Sequence, residues 1–138
     1  MVRVIAKKLG LQDDMRAFLV NAPQDTRKTI DAMDLKVAKT LSGMFDYIHF
    51  FTTSQAEFKK RFPQLKKHLA SGGMLWVSWP KNRKLGTDLT LTKVIELGYD
   101  HGLVESKTIS IDTTWSAIKF THPKKGKDYK NSYGRLKR

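Results

Sequence analysis

Three short stretches of the chain carry side chains that could hold a ligand. Asn21-Ala22-Pro23 follows one apolar run, Thr52-Thr53-Ser54 follows a second, and Trp79-Pro80-Lys81 follows a third, with Thr87-Asp88 just beyond. If the runs are strands of an open α/β sheet, their carboxyl ends meet at one crevice, the usual place for a ligand. A helix starting after Ser54 would turn its free amides toward an anion. Lys81, Arg83 and Lys84 add positive charge, and Trp79 could stack on a base or an adenine ring. The candidate ligand crevice is Asn21, Thr52, Thr53, Ser54, Trp79, Lys81 and Asp88, and its chemistry suggests a phosphate or a carboxylate. The same residues have an ordinary reading, as helix caps and solvated lysines.

Catalytic chemistry is thin. There is no cysteine, hence no thiol nucleophile and no Cys-ligated metal. His49, His68, His101 and His122 show no ligand spacing, so no metal site is expected. His49 lies within an apolar run and reads as a hydrogen-bonded core residue. Ser78 sits in W-V-S-W rather than in a G-x-S-x-G elbow. Asp46, Asp88 and Asp112 fall in different loops. No catalytic residue is assigned. A dinucleotide or S-adenosylmethionine site needs a glycine-rich turn after the first strand, so that the backbone can approach the ligand. Here the turn is Asn21-Ala22-Pro23-Gln24-Asp25, without glycine. No acidic residue follows the second strand. No cofactor is expected, with an adenosyl or nucleotide ligand as the alternative.

The elements that must position these residues alternate. Val2–Leu9 forms a short amphipathic helix ended by Gly10. Arg16–Asn21 is a continuously apolar strand of the kind covered on both faces. Asp25–Met33 reads as a helix capped by Asp25 or Thr26, and Lys36–Leu41 as a weak edge strand. Phe45–Thr52 is a buried strand. The Ser54-Gln-Ala-Glu57 box then opens a helix to about Ala70, with Phe58, Phe62, Leu65 and Leu69 on its inner face and Pro63 positioned to kink or split it. Gly72-Gly73 ends that element, and Met74–Trp79 is the next strand. Pro80 to Gly86 is a basic loop. Thr87-Asp88 caps a helix to about Tyr99. Val104–Ile111 and Trp115–Thr121 form a hairpin about Asp112-Thr113-Thr114. Strands alternating with helices imply a mostly parallel sheet with right-handed crossovers, and the hairpin adds antiparallel strands at its end.

The 138 residues make about one domain, and 40% hydrophobic composition suffices for a core. Twenty-six Lys and Arg against 13 Asp and Glu leave a formal charge of +13, which draws polyanions. The segment from Pro123 holds seven Lys/Arg and one Asp, nearly half of that charge. It has no apolar periodicity and reads as a disordered arm beyond a folded domain of residues 1–122. Lys81, Arg83, Lys84, Lys124, Lys125, Lys127, Lys130, Arg135, Lys137 and Arg138 are the candidate polyanion-binding residues, with Tyr129 and Tyr133 interleaved for stacking. No apolar run approaches the roughly 18 residues of a membrane span, and Met1–Gly10 lacks the features of a signal peptide. A bacterial, cytoplasmic setting is expected.

The blocks LWVSWPK (75–81), TDLT (87–90), GLVESK (102–107) and IDTTWSAIKF (111–120) together resemble a bacterial domain-of-unknown-function family. That resemblance spans about residues 7–122 and implies a shortened methyltransferase-type Rossmann domain, with no activity attached. The sequence therefore predicts a small Rossmann-like, methyltransferase-like α/β domain with a C-terminal antiparallel hairpin. Its leading functional reading is a non-catalytic binding or regulatory module. The alternatives are sequence-independent RNA or DNA binding through the tail and loop 81–84, and a transferase of undetected chemistry. The expected partners are a nucleic acid or other polyanion, or an anionic small molecule. Oligomeric state is left open.

Overall fold

The structure, a computed structural model, describes residues 2–125 together with the backbone of 130–131 and 134–135. Its centre is a six-stranded sheet in the order β2-β1-β3-β4-β6-β5. The strands are β1 (Arg16–Val20), β2 (Lys36–Val37), β3 (Phe45–Phe51), β4 (Leu69–Pro80), β5 (Val104–Ser110) and β6 (Trp115–Thr121). The first four run parallel; β6 runs antiparallel to β4 and to β5. The helices are α1 (Val2–Lys8), α2 (Gln24–Asp31), α3 (Gln55–Lys66) and α4 (Leu91–Asp100). This is the mixed, mostly parallel Rossmann-like arrangement with an antiparallel terminal hairpin.

Side chains of β3 alternate between two cores, as the period-two pleat requires. Ile48 and Phe50 join Val77, Trp79, Ile118 and Phe120 beneath α3 and α4. Tyr47 joins Met74, Trp76 and Ala117 beneath α1 and α2. Both faces are covered, which is why β3 and the 74–79 part of β4 read as largely apolar runs. The Trp76 indole, fully buried, donates to the Leu9 carbonyl at 3.0 Å and ties the end of α1 to the sheet.

Several boundaries differ from the sequence expectation, each for a local reason. Helix α2 starts at Gln24 with Pro23 at its N-cap and no capping side chain, so neither Asp25 nor Thr26 caps it. β2 shrinks to two exposed residues at the sheet edge. α3 ends at Lys66 and accommodates Pro63 without splitting. β4 begins at Leu69, not Met74. Gly72, at φ +78, lets the strand bend, and at Gly73 a Cβ would lie 2.9 Å from the Phe45 and Ala70 carbonyl oxygens. α4 begins at Leu91 under a Thr90 cap, so Thr87 and Asp88 do not cap it.

In the segment after Pro123, expected to be a disordered arm, Lys130–Asn131 (β7) and Gly134–Arg135 (β8) pair antiparallel. Residues 126–129, 132–133 and 136–138, and with them Lys127, Lys137 and Arg138, lie outside the described residues.

Candidate ligand site at the strand ends

The carboxyl ends of β1 and β3 meet the N-terminus of α3, and the side chains there bond to one another. Asn21 takes up a left-handed backbone (φ +60), which turns the chain out of β1. Its amide donates to the Phe51 carbonyl at 3.1 Å and to Glu57 Oε2 at 3.1 Å. The Thr52 hydroxyl, 2% exposed, donates to Glu57 Oε1 at 2.6 Å. Ser54 Oγ accepts the Glu57 amide at 3.1 Å, the first half of the expected capping box. The second half is redirected: the Glu57 carboxylate binds Thr52 and Asn21 instead of reaching back to the Ser54 amide.

The loop after β4 closes the same corner from the other side. Asp88 Oδ1 accepts the Gln55 amide at 2.8 Å, and the Gln55 side chain returns to the Asp88 carbonyl at 2.9 Å. The Thr87 hydroxyl donates to the Thr53 carbonyl at 2.6 Å. Asp88 thus caps α3, a helix 33 residues earlier, rather than the one that follows it.

Five of the seven expected crevice residues, Asn21, Thr52, Thr53, Ser54 and Asp88, meet at this corner, Thr53 through its carbonyl alone. Trp79 and Lys81 stand apart from it. Trp79 is only 4% exposed and packs in the core beneath α3 and α4. Lys81 turns to the hairpin, where its ammonium donates to Ser110 Oγ and to the Asp112 carbonyl. Lys84 follows it to the Thr113 carbonyl at 2.7 Å. Asp112 keeps its carboxylate for the turn amides of Thr114 and Trp115, both at 2.8 Å.

Beside the shortened β2 lies a hollow of about 420 Å³ lined by Phe18, Leu19, Arg27, Val37, Ala38 and Lys39. It presents two cations and no carboxylate.

A hydrogen-bonded chain on the other face of the sheet escaped the sequence reading. Tyr47 Oη lies 2.5 Å from His49 Nδ1, and His49 Nε2 lies 2.7 Å from Ser78 Oγ. His49 and Ser78 are fully buried. The spacing was visible, since Tyr47 and His49 are two apart on one strand, but pairing with Ser78 depends on the β3–β4 register. Burial lowers the His49 pKa to about 3 and raises that of Tyr47 above the ordinary phenol range. The imidazole is therefore neutral, and the chain serves as a satisfied polar contact in the core. His49 is the core residue the sequence suggested, and Ser78 has no path to a substrate.

The other histidines also spend a ring nitrogen on the backbone: His68 on Gly43 O, His101 on Leu97 O and His122 on Leu69 O, at 2.7–2.9 Å. Among the described residues no three His, Asp or Glu side chains gather as a metal site. Likewise, no helix among them is long and apolar enough to cross a membrane.

No family model matches the sequence, and no curated protein matches it. Solved structures do match. N-methyltransferase NodS from Bradyrhizobium japonicum aligns with a TM-score of 0.60 at 14% identity, over 89% of this chain and 94% of that one. Precorrin-6y C5,15-methyltransferase from Geobacter metallireducens gives 0.56 at 15% identity, over 88% and 87%. Magnesium protoporphyrin IX methyltransferase from Synechocystis, solved with bound SAM, gives 0.56 at 10% identity, over 88% and 76%. The class this fold defines is the Rossmann-like α/β domain of the methyltransferase type. At such identities the likeness establishes the scaffold and leaves activity to the residues.

Proposed function

We propose that this chain is a non-catalytic binding module for an anionic ligand, built on a methyltransferase-like scaffold whose cofactor corner is closed by its own side chains. The observation that carries the reading is the Glu57 carboxylate, bridging Thr52 at the end of β3 and Asn21 at the end of β1. It occupies the mouth of the crevice where a ligand of such a sheet would enter. The neighbouring turn has no glycine, and Pro23 removes an amide donor from it. The hollow beside β2 offers Arg27 and Lys39 where a ribose would want a carboxylate acceptor. These residues do not fit an adenosyl cofactor.

The test is calorimetric titration of the full chain with S-adenosylmethionine and with sinefungin. No saturable heat is expected from either ligand. Saturable binding would overturn the reading in favour of a transferase.

A second reading, binding of RNA or DNA without sequence preference, rests on its own observation. Lys93 pairs with Glu96 at 3.2 Å, but four other cations dock on neutral oxygens. Lys66 donates to His101 O, Lys84 to Thr113 O, Lys107 to Lys8 O and Arg16 to Met44 O. Three carboxylates meanwhile accept backbone amides: Asp46 that of Arg16, Asp13 that of Asp34, Asp88 that of Gln55. With 26 Lys and Arg against 13 Asp and Glu, a polyanion is the partner such a chain suits. The loop 81–84 and the tail, including Lys124, Lys125, Lys130 and Arg135, would supply the contacts.

A further inference from the structure

The three strongest features outside the closed corner are the buried Tyr47–His49–Ser78 chain, a hollow near His101 and His122, and a cleft under loop 81–86. The first has no access to solvent. The second, lined in part by Lys66, Lys67 and Met44, holds lysines and a carbonyl-bonded imidazole with nothing to select a ligand. The third carries more.

We propose that the cleft between loop 81–86, the β5–β6 hairpin and the start of α4 binds a phosphate ester. The inference rests on the reading of the chain as an anion-binding module and names where, and for what, the anion site is built. The cleft has a volume of about 450 Å³, within the usual range for small-molecule sites. Trp79 and Leu89 make an apolar floor, Thr108 and Ser116 put hydroxyls on the sheet side, and Lys81 and Arg83 stand at the loop. Trp79 and Ser116 are register partners on β4 and β6, so their side chains emerge on the same face of the sheet.

The charge at this place is not balanced locally. The Lys81 ammonium bonds only to neutral oxygens, Ser110 Oγ and the Asp112 carbonyl. The Asp112 carboxylate could have paired with it but is held by two backbone amides. An ammonium carries three N–H donors, so one remains to meet a ligand. Arg83 is exposed, lines the same cleft, and among the described residues has no side-chain partner. Its backbone is left-handed (φ 58), as are those of Asn82 (φ 52) and Leu85 (φ 56). Non-glycine residues in that region cluster where a loop is held for a purpose. A guanidinium fork beside an ammonium matches a phosphate better than a carboxylate, because phosphate offers more acceptor oxygens and up to two charges. The apolar floor leaves room for the organic part of the ester.

The phosphate could belong to a free nucleotide or to a nucleic-acid backbone, and the test separates the two. Adenosine monophosphate, pyrophosphate and a short single-stranded RNA are titrated into the full chain. The variants are Arg83→Gln, Lys81→Gln and, as an equal-charge control at an exposed position of α3, Lys59→Gln. Arg83→Gln is expected to weaken binding of whichever probe binds roughly ten-fold, the loss of one charge-assisted hydrogen bond. Its melting temperature should match that of the parent. The control should weaken binding far less. The Trp79 indole N–H resonance should move on titration, a local sign independent of net charge. Loss with adenosine monophosphate assigns a nucleotide site; loss with RNA alone assigns a phosphodiester contact. Equal losses in Arg83→Gln and in the control would overturn the cleft as the site while leaving anion binding standing. Binding of none of the three probes would overturn both.

Discussion

The Glu57 carboxylate accepts the hydroxyl of Thr52 at 2.6 Å, from a position one turn into α3. A glutamate at that position of a helix ordinarily reaches back to the N-cap amide. Here it reaches across to the ends of β3 and β1, and the strand-end crevice of this sheet is closed from within. Thr52 is buried, so its hydroxyl depends on that one carboxylate for a strong acceptor.

Glu57→Ala should therefore destabilise the fold by about 1–3 kcal/mol, the cost of leaving a buried donor unmade. Urea unfolding measures it. An unchanged midpoint would show that the bridge contributes nothing.

Asp88→Ala should cost about 1 kcal/mol, the usual value of a lost cap, although Asp88 is exposed and remote in sequence from the helix it caps. The loss should appear as faster amide exchange at Gln55. Faster exchange only at the start of α4 would mean that Asp88 caps the helix that follows it after all.

Stability should fall with acid. Burial holds the His49 pKa at about 3, against 6.5 for the ordinary imidazole. Above pH 6.5 neither folded nor unfolded chain takes up this proton. Below it the unfolded chain does and the folded one does not, so stability drops as pH falls toward 3, by about 1.4 kcal/mol per unit. Between pH 7 and pH 5 the loss from this group is about 2 kcal/mol. Urea midpoints at the two pH values check it, and equal midpoints would contradict the buried neutral imidazole.

Gly98 lies inside α4, where alanine is normally the better helix former by about 1 kcal/mol. A Cβ there would stand 2.0 Å from the Phe120 ring. Gly98→Ala should lower the melting temperature despite the gain in propensity. A raised melting temperature would show that Phe120 can move aside.

Much of this architecture was legible in the chain. β3 and the Met74–Trp79 part of β4 announced themselves as largely apolar runs because both faces are covered, and Ser54 was recognisable as a cap. What was not legible depends on contacts across the fold. Thr87-Asp88 looks like the cap of the next helix, yet Asp88 finds the Gln55 amide first because β3 and β4 end side by side. Trp79 sits at the end of a strand, but the alternation of β4 sends its ring beneath α4 and leaves 4% of it exposed. Lys81 looked like a crevice cation until the hairpin turn supplied oxygens closer to hand. The partnership of His49 with Ser78 needed the register of two strands, which no local pattern carries.

The central claim is that the chain binds anionic ligands through its excess of positive charge. It is tested most directly by the affinity of the full chain for short single-stranded RNA, adenosine monophosphate and pyrophosphate across a series of salt concentrations, with a version ending at His122 alongside. The account predicts affinity falling linearly on a log–log plot, with a slope of about −0.7 for each phosphate contacted, and a shallower slope for the shortened chain. RNA binding that ignores salt, or no binding of RNA, adenosine monophosphate or pyrophosphate at low salt, would contradict it.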